Sequence, residues 1–145
     1  MKKQLFSILL PALVLISLAS CKKDSKKSNM ELITQSAWKL QTVGIDGDKN
    51  GTVDLEDAVD ACTKDDLTTF ATNGTGTVDE GASKCDPADP QTTSFTWSFA
   101  NNETELNFDG DNFKILSLDG SYLKIYFEGD LGTGTIVRYL VILGH

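Results

Sequence analysis

The chain has one histidine, and it is the last residue, His145. That scarcity removes histidine-based nucleophile activation and makes a zinc site implausible, since both draw on imidazole. No Gly-X-Ser-X-Gly and no His-Glu-X-X-His occurs. Carboxylate pairs are present, but Glu103 and Glu105, expected on one strand face, read as its wet side rather than as a glycosidase pair. Basic residues are also few, 13 against 21 acidic, for a formal charge of −8. A phosphate backbone demands a basic footprint, so nucleic-acid binding is excluded as a partner class. Of the three prolines, Pro87 and Pro90 fall in one loop, Asp86 to Gln91. Long helical periodicity is missing, and the reading is of a non-enzymatic chain.

What is present begins at the N-terminus. Lys2 and Lys3 precede an apolar run from Leu5 to Leu18, broken by Pro11. The run is shorter than the roughly 20 apolar residues of a comfortable membrane span, and reads as an export signal over residues 1–20. It ends in Leu18-Ala19-Ser20-Cys21, which resembles the bacterial lipobox. The resemblance implies that Cys21 takes a diacylglycerol and becomes the mature N-terminus. Each buried methylene contributes about 0.8 kcal/mol, so several acyl chains anchor a protein almost permanently. Lys22 after the cysteine, in place of Asp, favours the outer membrane by the family's sorting rule, on its periplasmic or its surface side. The segment from Cys21 to Glu31, largely Lys, Ser and Asp, reads as a flexible tether of roughly 15–20 Å. One domain follows over residues 32–145. Without Lys2 and Lys3 the formal charge of the mature chain falls from −8 to about −10, which suits cation binding or solubility.

Three cysteines occur. With Cys21 lipidated, Cys62 and Cys85 remain as an even pair in an oxidising compartment and are expected to form a disulfide. Two free buried thiols are the alternative.

The domain alternates apolar and polar residues in short stretches, the period of half-buried strands. A helical turn is expected near Glu31–Gln35. Strands are expected at Ala37–Val43, Leu67–Ala71, Thr75–Val78, around Phe95-Thr96-Trp97-Ser98-Phe99, at Leu106–Phe108, Phe113–Leu118, Tyr122–Phe127 and Ile136–Leu143. Asn73-Gly74, Asn101-Asn102, Asp109-Gly110, Asp119-Gly120 and Gly129–Gly134 supply the turns. Seven to eight short strands with tight turns argue a β-sandwich or an up-and-down barrel. One short helix is predicted from Leu55 to Cys62, after an acidic loop.

That loop is the sharpest site signal. Asp46-Gly47-Asp48-Lys49-Asn50-Gly51-Thr52-Val53-Asp54-Leu55-Glu56-Asp57 matches a twelve-residue calcium loop. Asp46, Asp48 and Asn50 fall at positions 1, 3 and 5, and Gly51 at the sharp turn of position 6. Thr52 would offer its carbonyl, Val53 an apolar anchor, and Asp54 position 9. Asp57 at position 12 replaces the bidentate Glu of an EF-hand and resembles dockerin loops, although those modules carry two loops. A structural Ca2+ is the expected cofactor.

Several spaced residues resemble a known family. Ser36-Ala37-Trp38 is similar to the Gly-X-Trp opening of lipocalins. Cys62-Thr63-Lys64-Asp65-Asp66, Phe70, Asn73-Gly74-Thr75, Gly81, Lys84-Cys85 and Trp97-Ser98-Phe99 resemble small bacterial lipoproteins called lipocalin-like, over roughly Leu32 to Leu143. The resemblance implies an antiparallel up-and-down barrel. Trp38, Phe70, Phe95, Trp97, Phe99, Phe108, Phe113, Tyr122, Tyr126 and Phe127 could line a ligand cavity in it or fill its core. The expectation is a membrane-anchored binding protein for a small apolar ligand and Ca2+. The alternative is an envelope structural or protein-interaction module with a filled barrel.

Overall fold

The computed structural model describes residues 26–145, apart from Leu131 and Thr133. The expected signal segment, the Cys21 lipid site and the first part of the tether lie outside the described residues. Among the described residues no helix is long and apolar enough to cross a membrane.

The first helix starts before the expected domain boundary at residue 32. Helix α1, Asn29–Ile33, is opened by a capping box in which the Ser28 hydroxyl accepts from the Glu31 amide and Glu31 accepts from the Ser28 amide. The signature Ser-X-X-Glu stands in the sequence at Ser28 to Glu31, inside the segment expected to be a flexible tether, and residues 29–31 are helical instead. Met30 and Ile33 pack onto the core.

The strands are β1 (Lys39–Asp46), β2 (Leu55–Glu56), β3 (Leu67–Phe70), β4 (Thr75–Asp79), β5 (Thr92–Ala100), β6 (Glu105–Phe108), β7 (Asp111–Leu118), β8 (Tyr122–Asp130) and β9 (Ile136–Gly144). All pair antiparallel in one nine-stranded sheet, ordered β2-β1-β9-β8-β7-β6-β5-β4-β3. The sheet closes where Trp38, just before β1, exchanges two backbone hydrogen bonds with Thr68 of β3, at 2.7 and 2.8 Å. Eight strands form the barrel wall, and β2 is an added two-residue piece on the free edge of β1.

Alternation decides which side chains face in. Phe95 and Trp97 of β5, Leu106 of β6, and Leu123 and Ile125 of β8 are buried in one cluster with Trp38 and Phe70. In β9 both faces are covered. Val141 and Leu143 pack towards that cluster, whereas Leu140 and Ile142, on the opposite face, are only 0% and 9% exposed. Double coverage explains the near-continuous apolar run of this strand.

The helix expected from Leu55 to Cys62 does not form. Leu55 and Glu56 pair instead with Ile45 and Gly44, and between β2 and β3 helical geometry is confined to a single 3₁₀ turn, Thr63–Asp65. The apolar spacing of Leu55, Val59 and Cys62 suited a helix, but no surface receives that face, and Leu55 is 62% exposed. The free edge of β1 offers backbone partners at once. The Asp54 amide donates to Ile45 and the Asp57 amide to Val43. Cys62 and Cys85 are joined, with Cα atoms 5.2 Å apart, which ties the β2–β3 segment to the β4–β5 loop.

Candidate functional site

The lumen is lined by side chains that alternation turns inward. Thr68, Phe70, Leu106, Phe108, Phe113, Ile125, Val141 and Leu143 line an apolar pocket of about 230 Å³ that opens to solvent. Phe70 meets Phe95 and Trp97 edge-on at 5.4 and 5.2 Å, and Phe95 stacks on Phe108 at 4.1 Å. Each indole N–H has a partner: Trp97 donates to the carbonyls of Ala71 and Thr75, and Trp38 to that of Ile33. The lumen therefore holds no indole donor in need of a polar ligand. Inward residues Phe108, Phe113, Val141 and Leu143 are only half-buried, as an incompletely filled barrel requires. Phe127 stacks parallel on Tyr139 at 5.1 Å and approaches Phe113 at 6.2 Å, and it is 43% exposed. Tyr122 and Tyr126 take no part: Tyr122 is exposed, and Tyr126 lies outside the wall beneath Arg138, whose guanidinium carbon is 4.3 Å from the ring. A larger cleft of about 460 Å³ lies outside the wall. It mixes Leu40 and Val59 with Gln41, Glu56, Asp57 and Lys64, so its lining is polar where that of the lumen is apolar.

The opposite end of the barrel is shut by α1 and the last residue. The His145 imidazole contacts the Ser36 hydroxyl, the Ala37 carbonyl and the Gln35 amide, and lies 4.0 Å from the Trp38 ring. It lies over the buried Trp38 ring at that end. Glu103 does not share a strand face with Glu105. It sits in the Asn101–Thr104 turn with φ 63° and accepts from Asn29, because three successive residues there take left-handed conformations and reverse the chain.

A second polar centre stands on the outer wall. Asp46, the last residue of β1, is fully buried. One oxygen each of Asp46, Asp48 and Asp54 lies within 4.8 Å of the others. Asp46 Oδ2 accepts from the Gly51 amide at 3.0 Å and from Arg138 at 3.2 Å. Asp46 Oδ1 is buried with no hydrogen-bond partner. Asp54 accepts from the Gly47 and Asp48 amides at 2.8 and 3.3 Å. Asn50 donates to Asp48, and its own oxygen accepts from Thr52. Val53 turns back onto the sheet and fills the space over Gly44. Asp57 is not in this group. Pairing of β2 carries the chain away extended after Asp54, so the helical return that would bring position 12 back is absent, and Asp57 lines the outer cleft.

A family model described as a lipocalin-like domain matches residues 36–125. The chain belongs to the lipocalin-like family. No curated protein matches it. The matched span opens two residues before Trp38 and includes the acidic loop, the disulfide and most of the lumen. The lipocalin-like barrel is completed by β9, beyond that span. This strand also carries Arg138, which sequence reasoning missed. A usable signal was there: Arg138 is the chain's single arginine, set in an otherwise apolar strand.

Proposed function

We propose that this lipocalin-like protein is a lipid-anchored envelope protein that holds a small apolar ligand in its barrel. The observation that carries the reading is the lumen pocket of about 230 Å³, whose lining is entirely apolar or aromatic apart from Thr68. An apolar cavity near 150 Å³ already stays dry and takes up benzene, whereas drug-sized pockets begin at roughly 300 Å³. The ligand class is accordingly one ring or a short acyl chain. A lipid on Cys21 would attach through the segment leading into α1, at the shut end, and would leave the Phe113–Phe127 end facing away from the membrane. Lys22 assigns the anchor to the outer membrane under this reading.

The test uses the protein purified in detergent from its host. Native mass spectrometry should find a co-purifying apolar species at one per chain. A fluorescent apolar probe should bind the stripped protein and be displaced by that species. Val141→Phe, which fills the cavity from β9, should abolish probe binding with an unchanged circular-dichroism spectrum. A wild-type protein that retains nothing and takes up no probe would instead establish the alternative, a structural or protein-interaction module with a filled core.

A further inference from the structure

We propose that the loop between β1 and β2 is a divalent-cation site of the calcium class, built on Asp46, Asp48 and Asp54 and carried on the outer wall, separate from the lumen. Two independent observations meet there. The first is the convergence of three carboxylates within 4.8 Å. The second is Asp46 Oδ1, which is fully buried and without a hydrogen-bond partner. A buried carboxylate oxygen left unpaired is costly, and a metal ion satisfies it.

The charge balance points the same way. Three carboxylates face one another, and among the described residues Arg138 is the only cation paired with any of them. Lys49, inside the loop, turns away to Glu128 at 2.9 Å. Lys124 donates to the Gly51 carbonyl. One guanidinium against three carboxylates leaves a deficit that one dication fills. Arg138 holds Asp46 Oδ2, so the carboxylate bridges: one oxygen on the arginine, the other towards the ion.

The chemistry selects the ion. All donors are hard oxygens, which exclude a thiophilic metal. The loop also places carboxylates at positions 1, 3 and 9 of a calcium-type spacing, with Gly51 at the turn. Magnesium demands near-octahedral order and keeps its waters, and suits an irregular loop less well. Because Asp57 stands outside the group, no bidentate side chain closes the shell, and water completes it. Affinity then falls in the weak range of extracellular modules, roughly 10⁻⁴–10⁻³ M. The loop is fastened to β8 and β9 by Lys124 and Arg138, so an ion there pins the outer wall and leaves the cavity untouched.

The experiment is calorimetric titration of the chelator-treated full chain in detergent with Ca2+ and, separately, with Mg2+. One Ca2+ per chain at submillimolar to millimolar strength is expected, with Tm raised by calcium and little response to magnesium. Asp46→Asn could fail to fold, because it disturbs Arg138, so Asp48→Asn is the working variant. Asp48 is exposed, and the substitution should weaken calcium at least tenfold without lowering Tm in chelator. Terbium luminescence, sensitised through Tyr126 beside Arg138, should rise on binding, fall in Tyr126→Phe, and be quenched by excess Ca2+. Absence of calcium heat and of a Tm response up to about 10 mM, or equal responses from wild type and Asp48→Asn, would overturn the site. Lumen probe binding is measured in the same samples and is expected not to change.

Discussion

Asp66 lies beside Asp65, Asp79 and Glu80, and partial burial together with those three like charges pushes its carboxyl above the ordinary aspartate range. A raised folded value means that the charged form is disfavoured in the fold, so the penalty is absent when the group is protonated and grows as pH rises through that value. Asp66→Asn should therefore raise Tm at about pH 7, and the gain should vanish near pH 3, where the wild type is protonated too. Calorimetry at both values checks this, and a lower Tm for the variant at neutral pH would refute it. Glu128 has the opposite sign. Its hydrogen bond and charge pairing with Lys49 hold it low, so its contribution is present above the unfolded value and is lost as pH falls. Gly44 shows how far one missing side chain matters. A Cβ there would stand 2.1 Å from the Leu55 carbonyl and 2.8 Å from Val53, so β2 and the acidic loop dock on β1 only because position 44 is glycine.

The element most dependent on a covalent link is the segment between β2 and β3. It follows a strand of only two residues and holds a single 3₁₀ turn, too little backbone pairing to order it. The Cys62–Cys85 bridge supplies what pairing does not. Its ring of about 24 residues is worth about 3 kcal/mol on the chain-entropy account. Cys62→Ser is expected to lower stability by about that amount in denaturant unfolding, and to raise proteolysis within residues 57–66 before the barrel itself is cut. An unchanged midpoint would show that the segment is held by other contacts. The wall strands were legible in the sequence because period-two alternation and turn pairs such as Asn73-Gly74 and Asp109-Gly110 are local signals. β2 was not. Its two residues carry no pattern, and they pair only because β1 happens to leave an edge beside them.

For the whole molecule the arrangement has a polarity: a shut end at α1 and His145, and an aromatic end at Phe113, Phe127 and Tyr139. Anchoring through Cys21 would set that axis relative to the membrane. In a fractionation of the expressing cells, Cys21→Ser is expected to shift the protein from the membrane to the soluble fraction. Retention of the variant in the membrane fraction would refute the lipobox reading. The mainly-β class, the short strands and their turns, the pairing of Cys62 with Cys85 and the acidic loop's turn at Gly51 were legible in the sequence alone, since each rests on nearest-neighbour chemistry or on counting; a barrel rather than a sandwich followed only from the family resemblance and from the closure of Trp38 on Thr68. Three things were decided only by tertiary structure. Asp57 left the acidic group because β2 paired instead of coiling. Arg138 joined it from 92 residues away because the β1–β9 register sets it opposite Asp46. Asp46 became buried because the loop folds back over the outer wall. The physical reason is common to all three: which edge is free, and which charge lies across it, depends on the register and closure of the barrel, and those are properties of the folded sheet rather than of any stretch of chain.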